Sequence, residues 1–214
     1  MSDSEPIPPD RFSETAITKG VADIADGDES FAAALARTLL ATAGAQEDAV
    51  LASRAAEFLR HAPETGVRLR HQVSYPHGWL DLLRGNRERT LIDWLFEGPS
   101  FAIAVEVKTH LVGGMEERQL WRYHVAMTAR RSAVRRAQSG VLALTPYVLD
   151  RHELLKPRHK RYLGAIRWDQ AMPWLRQLTP ADPGDAARWS AILDHVEHSP
   201  WPVPDPDLGA SPSM

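Results

Sequence analysis

Asp93, Glu106 and Lys108 are the side chains whose types and spacing point most directly to chemistry. Glu106 and Lys108 close the otherwise apolar run FAIAVEVK (101–108) and stand two residues apart. In a strand that spacing puts them on one face, with Ala102 and Ala104, while Phe101, Ile103, Val105 and Val107 face the other way. A carboxylate and an ammonium at the end of a buried strand cost free energy unless something uses them. If Asp93 joins them, two carboxylates on rigid strands suit a hard divalent cation with oxygen ligands, Mg²⁺ or Mn²⁺. The Val107 carbonyl could add a ligand. Such a cation keeps several waters, one of which can be activated as a nucleophile. Lys108 could orient that water or stabilise charge growing on a phosphate oxygen. The plain alternative is a structural salt bridge between Lys108 and one carboxylate.

A hairpin must position the three. TLIDWLFE (90–97) and FAIAVEVK (101–108) both read as strands, punctuated by Gly98-Pro99. If Gly98-Pro99 is a two-residue turn, Asp93 lies opposite Ala104 and shares the face of Glu106 and Lys108. A one-residue change in the loop would flip it. Around the hairpin, 28–43 reads as a helix capped by Asp28, with Phe31, Leu35 and Leu39 recurring every four residues. A second helix spans 47–61, with Val50, Ala55, Phe58 and Leu59 inward. VRLRHQVSY (67–75) reads as a strand and 76–89 as a loop. A long helix spans 116–138, strands follow at 140–146 and 162–168, and helices at 169–178 and 185–197. This order predicts a mixed α/β (α+β) domain around one central mixed sheet of four to five strands flanked by helices. The single domain is expected over 16–199, between disordered Pro- and Ser-rich tails at 1–15 and 200–214.

Composition narrows the function classes. With 214 residues, 43% hydrophobic and 25% charged, the chain can bury a core without staples. It has no cysteine, which excludes disulfides, thiolate zinc sites, iron–sulfur clusters and a cysteine nucleophile. No apolar run is long enough for a membrane helix, and the acidic, proline-rich start is unlike a secretory signal, so a cytoplasmic protein without a membrane partner is expected. The net charge of −3 conceals a basic block: residues 116–167 hold 12 basic and 4 acidic side chains, net +8. Arg130, Arg131, Arg135 and Arg136 fall on the long helix; Arg151, His152, Lys156, Arg158, His159, Lys160 and Arg161 follow in a segment read as a loop. Such charge suits the phosphates of a nucleic acid, in contacts largely independent of base sequence. A solvated helix face is the bland reading. Of the histidines, His71, His77, His110 and His124 lie near the hairpin in sequence, and none has zinc-ligand spacing. The tryptophans read as core or edge packing; Trp121 could stack on a base.

The run 93–123 resembles the PD-(D/E)xK nuclease superfamily, whose core pattern is an acidic residue on one strand and (D/E)-x-K on the next. Here that pattern is Asp93, a gap of twelve residues, then Glu106-Val107-Lys108. Its RecB-like branch follows with a helix bearing Q-x-x-x-Y, matched by Gln119 and Tyr123, which an i, i+4 spacing puts on one helix face. Ile92 stands where the superfamily often has proline, and Asp81 is a rival for the first aspartate. The resemblance covers roughly 28–168 and implies a restriction-endonuclease-like core. It implies that Asp93 and Glu106 hold the metal, that Lys108 is the catalytic lysine, and that Gln119 helps position Lys108 or a substrate phosphate. By the same resemblance Tyr123 contacts the nucleic-acid backbone, and an acid on an early helix, Glu29 before Asp28, completes the acidic shell. The expected function is a Mg²⁺-dependent nuclease acting on DNA, as a component of a repair or phage-defence system. Selectivity would come from a homodimer or a partner subunit. The alternatives are a catalytically inactive nucleic-acid-binding or assembly module with the same fold, and an enzyme of small nucleotides.

Overall fold

The structure is a computed structural model, and it describes residues 13–76, 89–99, 101–109, 119–133, 138–149, 156 and 158–198. Its elements are α1 (Glu14–Asp26), α2 (Glu29–Gly44), α3 (Ala49–His61), β1 (Arg68–Pro76), β2 (Arg89–Glu97), β3 (Phe101–Val107), α4 (Gln119–Ala133), β4 (Gln138–Thr145), β5 (Tyr162–Arg167), α5 (Trp168–Leu175) and α6 (Pro183–His198). The five strands form one sheet in sequence order. β1, β2 and β3 pair antiparallel; β3, β4 and β5 pair parallel. This is the mixed sheet flanked by helices that the hydrophobic pattern predicts. Among the described residues no helix is long and apolar enough to cross a membrane.

The alternation along β3 divides the core. Phe101, Ile103, Val105 and Val107 join α1, α2, α3, α5 and α6 on one face. Ala102 and Ala104 join Leu120, Tyr123, Ala126 and Met127 of α4 on the other. Every residue of β3 is buried, because helices cover both faces of a central strand. The small side chains Ala102, Ala104 and Ala143 leave space under α4 for the large Tyr123.

Two departures from the sequence expectations alter the site. The first is α1, whose first residues lie inside the segment expected to be a disordered tail. Ser13 caps it, accepting from the Ala16 N–H (3.2 Å). Ile17, Val21 and Ile24 are buried at helical spacing. The helix is pinned to the sheet by the Trp94 indole, which donates to the Thr18 carbonyl (2.9 Å), and by contact between the Thr18 hydroxyl and His71 Nε2 (3.0 Å). Gly20 and the β-branched residues make it a weak helix former by propensity, so packing decides it. In α3 the inward residue is Leu51 and not Val50, which is exposed.

The second departure is a twist in the β1–β2 hairpin. Leu69 and Trp94 face the five-helix side, whereas Val73 and Ile92, at the same parity, face α4. The side chains therefore change face between them. Gln72 adopts φ +48°, and the register steps from His71↔Trp94 to Val73↔Ile92 without pairing Gln72 to Asp93. A left-handed residue is how a strand absorbs such a turn.

Gly164, at the start of β5, has φ +114°, and a Cβ there would overlap Gln46 Oε1. Gln46 donates to the carbonyls of Ala43 (2.6 Å) and Leu163 (2.8 Å), tying α2 to β5. Gly164→Ala therefore combines backbone strain with overpacking, and urea denaturation is expected to show a loss of about 2–4 kcal/mol.

Candidate active site

The hairpin register differs from the simplest turn by two residues. Glu97 pairs with Ala102 and Leu95 with Ala104, and the Gly98 N–H donates to the Phe101 carbonyl (2.9 Å). A shift of two preserves parity, so Asp93 moves level with Glu106 rather than Ala104. The β2–β3 pairing, however, ends at Trp94↔Val105, and the two strands part at Asp93.

Side chains take over the lost ladder bonds. The Val107 N–H donates to Asp93 Oδ2 (3.0 Å), and the Asp93 N–H donates to the Tyr123 hydroxyl (2.9 Å). On its other side, the Lys108 N–H donates to the Leu144 carbonyl on β4 (2.9 Å). In a trans peptide the C=O opposes the N–H, so the Val107 carbonyl points into the gap between β2 and β3, on the side of the Asp93 carboxylate.

Glu106 projects towards α4 with no exposed surface. Its Oε1 pairs with Lys108 Nζ at 2.9 Å, and Asp93 and the Tyr123 hydroxyl are its other polar neighbours. Burial first, and then Asp93, raise the Glu106 carboxyl to about 8, against the opposing pull of Lys108 and Tyr123. Asp93 is also raised, by burial, against the Val107 N–H and Lys108. Burial alone would lower Lys108; the carboxylates of Glu106 and Glu14 outweigh it and hold the ammonium above its ordinary value. Burial, then Glu106 and Asp93, push Tyr123 well above the usual phenol range, so the hydroxyl stays protonated.

The third acid is Glu14, in the first turn of α1. Its Oε1 accepts from Lys108 Nζ (3.1 Å) and its Oε2 from the Thr109 N–H (3.2 Å). The Lys108 carbonyl accepts from the Trp168 indole (2.7 Å), so the lysine is fixed at both backbone groups and at its tip.

Glu29, the acid implied by the resemblance, is not in this cluster. It pairs with Arg68 (3.3 Å) on the surface. Arg68 is paired with Glu97 and Glu97 with Ala102, which puts Glu29 at the opposite end of the sheet, about 13 Å from Glu106 along the strand. Glu14 was legible only through Ser13, Ile17, Val21 and Ile24, a cap followed by helical spacing.

Tyr123 reaches the site from within: it has no exposed surface, so it cannot touch a polymer and instead holds Asp93. Gln119 opens α4 one turn earlier and is half-buried. Arg161, expected at a nucleic acid, donates to Ser139 Oγ (3.0 Å) and Thr128 Oγ1 (2.8 Å), clamping β4 to α4. Ser139 pairs with Ala102, so Arg161 and the exposed Lys160 before it lie at the far ends of the parallel strands. The side chains of Arg130 and Arg131 and all of Arg135, with the rival Asp81, His77 and His110, lie outside the described residues. His71 sits against Thr18 and serves the fold.

Asp93, Glu106 and Glu14 set three carboxylates against one ammonium. A divalent cation would balance that charge, and the Glu106 and Asp93 carboxylates and the Val107 carbonyl are the hard donors it takes. Among the described residues no three His, Asp or Glu side chains converge at ligand distance, so two carboxylates and a carbonyl are the protein's available set. No protein-family model, curated protein or solved structure matches the chain.

Two expectations follow without metal. In the unfolded chain the Glu106 carboxyl loses its proton at ordinary acidity, but in the folded chain only near pH 8. Between those values the folded state holds the extra proton, so stability falls as pH rises from about 5 to about 8. With chelator present, Glu106→Gln should flatten that decline in urea titrations at a series of pH values. Tyr123→Phe removes the acceptor of the part-buried Asp93 N–H and should cost about 1–3 kcal/mol in the same titrations.

Proposed function

We propose that the chain is a Mg²⁺- or Mn²⁺-dependent phosphodiester hydrolase acting on nucleic acid, most plainly DNA. The observation that carries this reading is the Glu106 carboxyl group: wholly buried, paired with Lys108 and beside a second buried acid, Asp93. At neutral pH burial and Asp93 favour the protonated form of Glu106, and a cation with oxygen ligands would favour the ionised one. The D…ExK and Q-x-x-x-Y patterns of 93–123 support the same reading by resemblance.

Asp93, Glu106 and the Val107 carbonyl would hold the ion, which supplies charge neutralisation at the phosphate and acidifies a water for attack. The rest falls to the protein's own groups. The Lys108 ammonium, held above its ordinary pKa, stays charged and can orient that water or stabilise a phosphate oxygen. Glu106 and Glu14 aim it, while Leu144 and Trp168 hold its backbone. Tyr123 fixes Asp93 through its N–H.

A second reading, an inactive nucleic-acid-binding or assembly module, is favoured by one feature: Lys108 already closes onto Glu106 and Glu14 and partly balances them. Metal binding separates the two. Titration calorimetry with Mn²⁺ is expected to show heat that Asp93→Ala abolishes; no such heat, together with no cleavage, leaves the binding module. With labelled DNA and RNA and Mg²⁺ or Mn²⁺, Asp93→Ala, Glu106→Ala and Lys108→Ala should each lower cleavage at least about 100-fold. Glu14→Gln should lower it about tenfold by loosening Lys108, whereas Glu29→Gln should leave it unchanged. Cleavage by Lys108→Ala at the wild-type rate would remove the nuclease reading.

A further inference from the structure

The outer side of α4 carries a cluster of three rings that the site does not use. Trp121 and Tyr123 are two positions apart, about 200° around the helix, so Tyr123 enters the core while Trp121 points outward. Trp121 remains 43% exposed. Its indole lies nearly parallel to the His124 imidazole, with ring centroids 5.5 Å apart and an interplanar angle of 23°. His159, in the turn before β5, closes the cluster edgewise, 5.3 Å from Trp121 and 5.1 Å from His124. The cluster is thus built from two segments, α4 and the β5 approach. The latter is held by Arg54, which donates to the carbonyls of His159 (2.9 Å) and Tyr162 (2.6 Å).

Cations border these rings. Lys156, Arg158 and Lys160 are exposed on the same turn as His159. Burial, then His159 and Arg161, lower His124 to about 4; burial, then Arg158 and Lys156, lower His159. At neutral pH the rings therefore present an uncharged aromatic surface with positive charge at its margin. The stretch of sequence that contains them, 116–167, has a net charge of +8 in a chain that is acidic overall. An exposed aromatic face bordered by cations on one side matches an unstacked base with its flanking phosphates. A duplex keeps its bases stacked and offers such a face only at its ends.

We propose that Trp121, backed by His124 and flanked by His159, is a stacking platform for an unpaired base of a single-stranded nucleic acid whose phosphates meet Lys156, Arg158 and Lys160. The platform lies across α4 from Tyr123 and Asp93, about one helix diameter, 10 Å, away. The inference needs nucleic-acid binding but neither metal nor cleavage, so it stands or falls separately from the nuclease reading.

Fluorescence anisotropy of labelled oligo-dT with the full chain in EDTA tests it, with oligo-U and a DNA duplex of equal length as further arms. Trp121→Ala should weaken oligo-dT binding about 5- to 150-fold, the range of one base stack. Trp121→Phe should retain most of the affinity, and binding of the duplex should be unchanged in both variants. The double variant Lys156→Glu/Arg158→Glu should lower affinity for oligo-dT and oligo-U alike and flatten the salt dependence. Equal oligo-dT affinity of Trp121→Ala and wild type would overturn the proposal. So would equal losses on single strand and duplex, or no binding of oligo-dT by wild type. Loss of cleavage in Lys108→Ala with oligo-dT binding intact leaves the platform standing and speaks only to the metal site.

Discussion

The parting of β2 from β3 at Asp93 is the constraint on which the site depends. Paired strands satisfy each other's N–H and C=O groups, and a buried strand that loses its neighbour must find substitutes. Here the substitutes are side chains. The Asp93 carboxylate takes the Val107 N–H, and the Tyr123 hydroxyl takes the Asp93 N–H. The same event brings a carboxylate into the sheet, turns the Val107 carbonyl towards it, and leaves Glu106 beside both.

Charge at that depth dictates the surroundings. Glu106 is wholly buried, and Lys108 is its ion-pair partner. A long ammonium side chain would sample many positions if only its tip were held. Its backbone is therefore locked between Leu144 and the Trp168 indole, and Glu14 grips the tip from the other side. The proposed divalent cation completes an arrangement whose acids otherwise outnumber its base. Positively charged groups elsewhere serve different ends. Arg161 fastens α4 to β4, Arg68 and Glu29 pair at the opposite edge, and the turn around His159 offers exposed charge beside exposed aromatic surface.

Much of this was legible in the order of residues. The alternation of FAIAVEVK marks β3, its two faces and the charged pair at its end. Asp28 and the four-residue recurrence of Phe31, Leu35 and Leu39 mark α2. Gln119 and Tyr123 fall on one helix, and the burial of Tyr123 puts it in the core rather than at the nucleic-acid backbone that the resemblance implies. What was not legible depended on contacts between distant segments. Glu14 reaches Lys108 across 94 positions, through a helix of weak propensity stabilised by docking. Glu29 has better helix-start chemistry but sits at the wrong end of the sheet, which its spacing from Glu106 does not reveal.

The sequence by itself determined the strands, the core alternation and the presence of an acid–lysine pair at the end of β3. Those features follow from local periodicity, which the chain carries wherever it folds. Tertiary structure alone decided which carboxylates meet that pair and how they face it. The left-handed φ of Gln72, the two-residue shift of the hairpin and the seating of α1 against Trp94 are outcomes of packing. Each turns or moves a side chain without altering the polar and apolar pattern that encodes it.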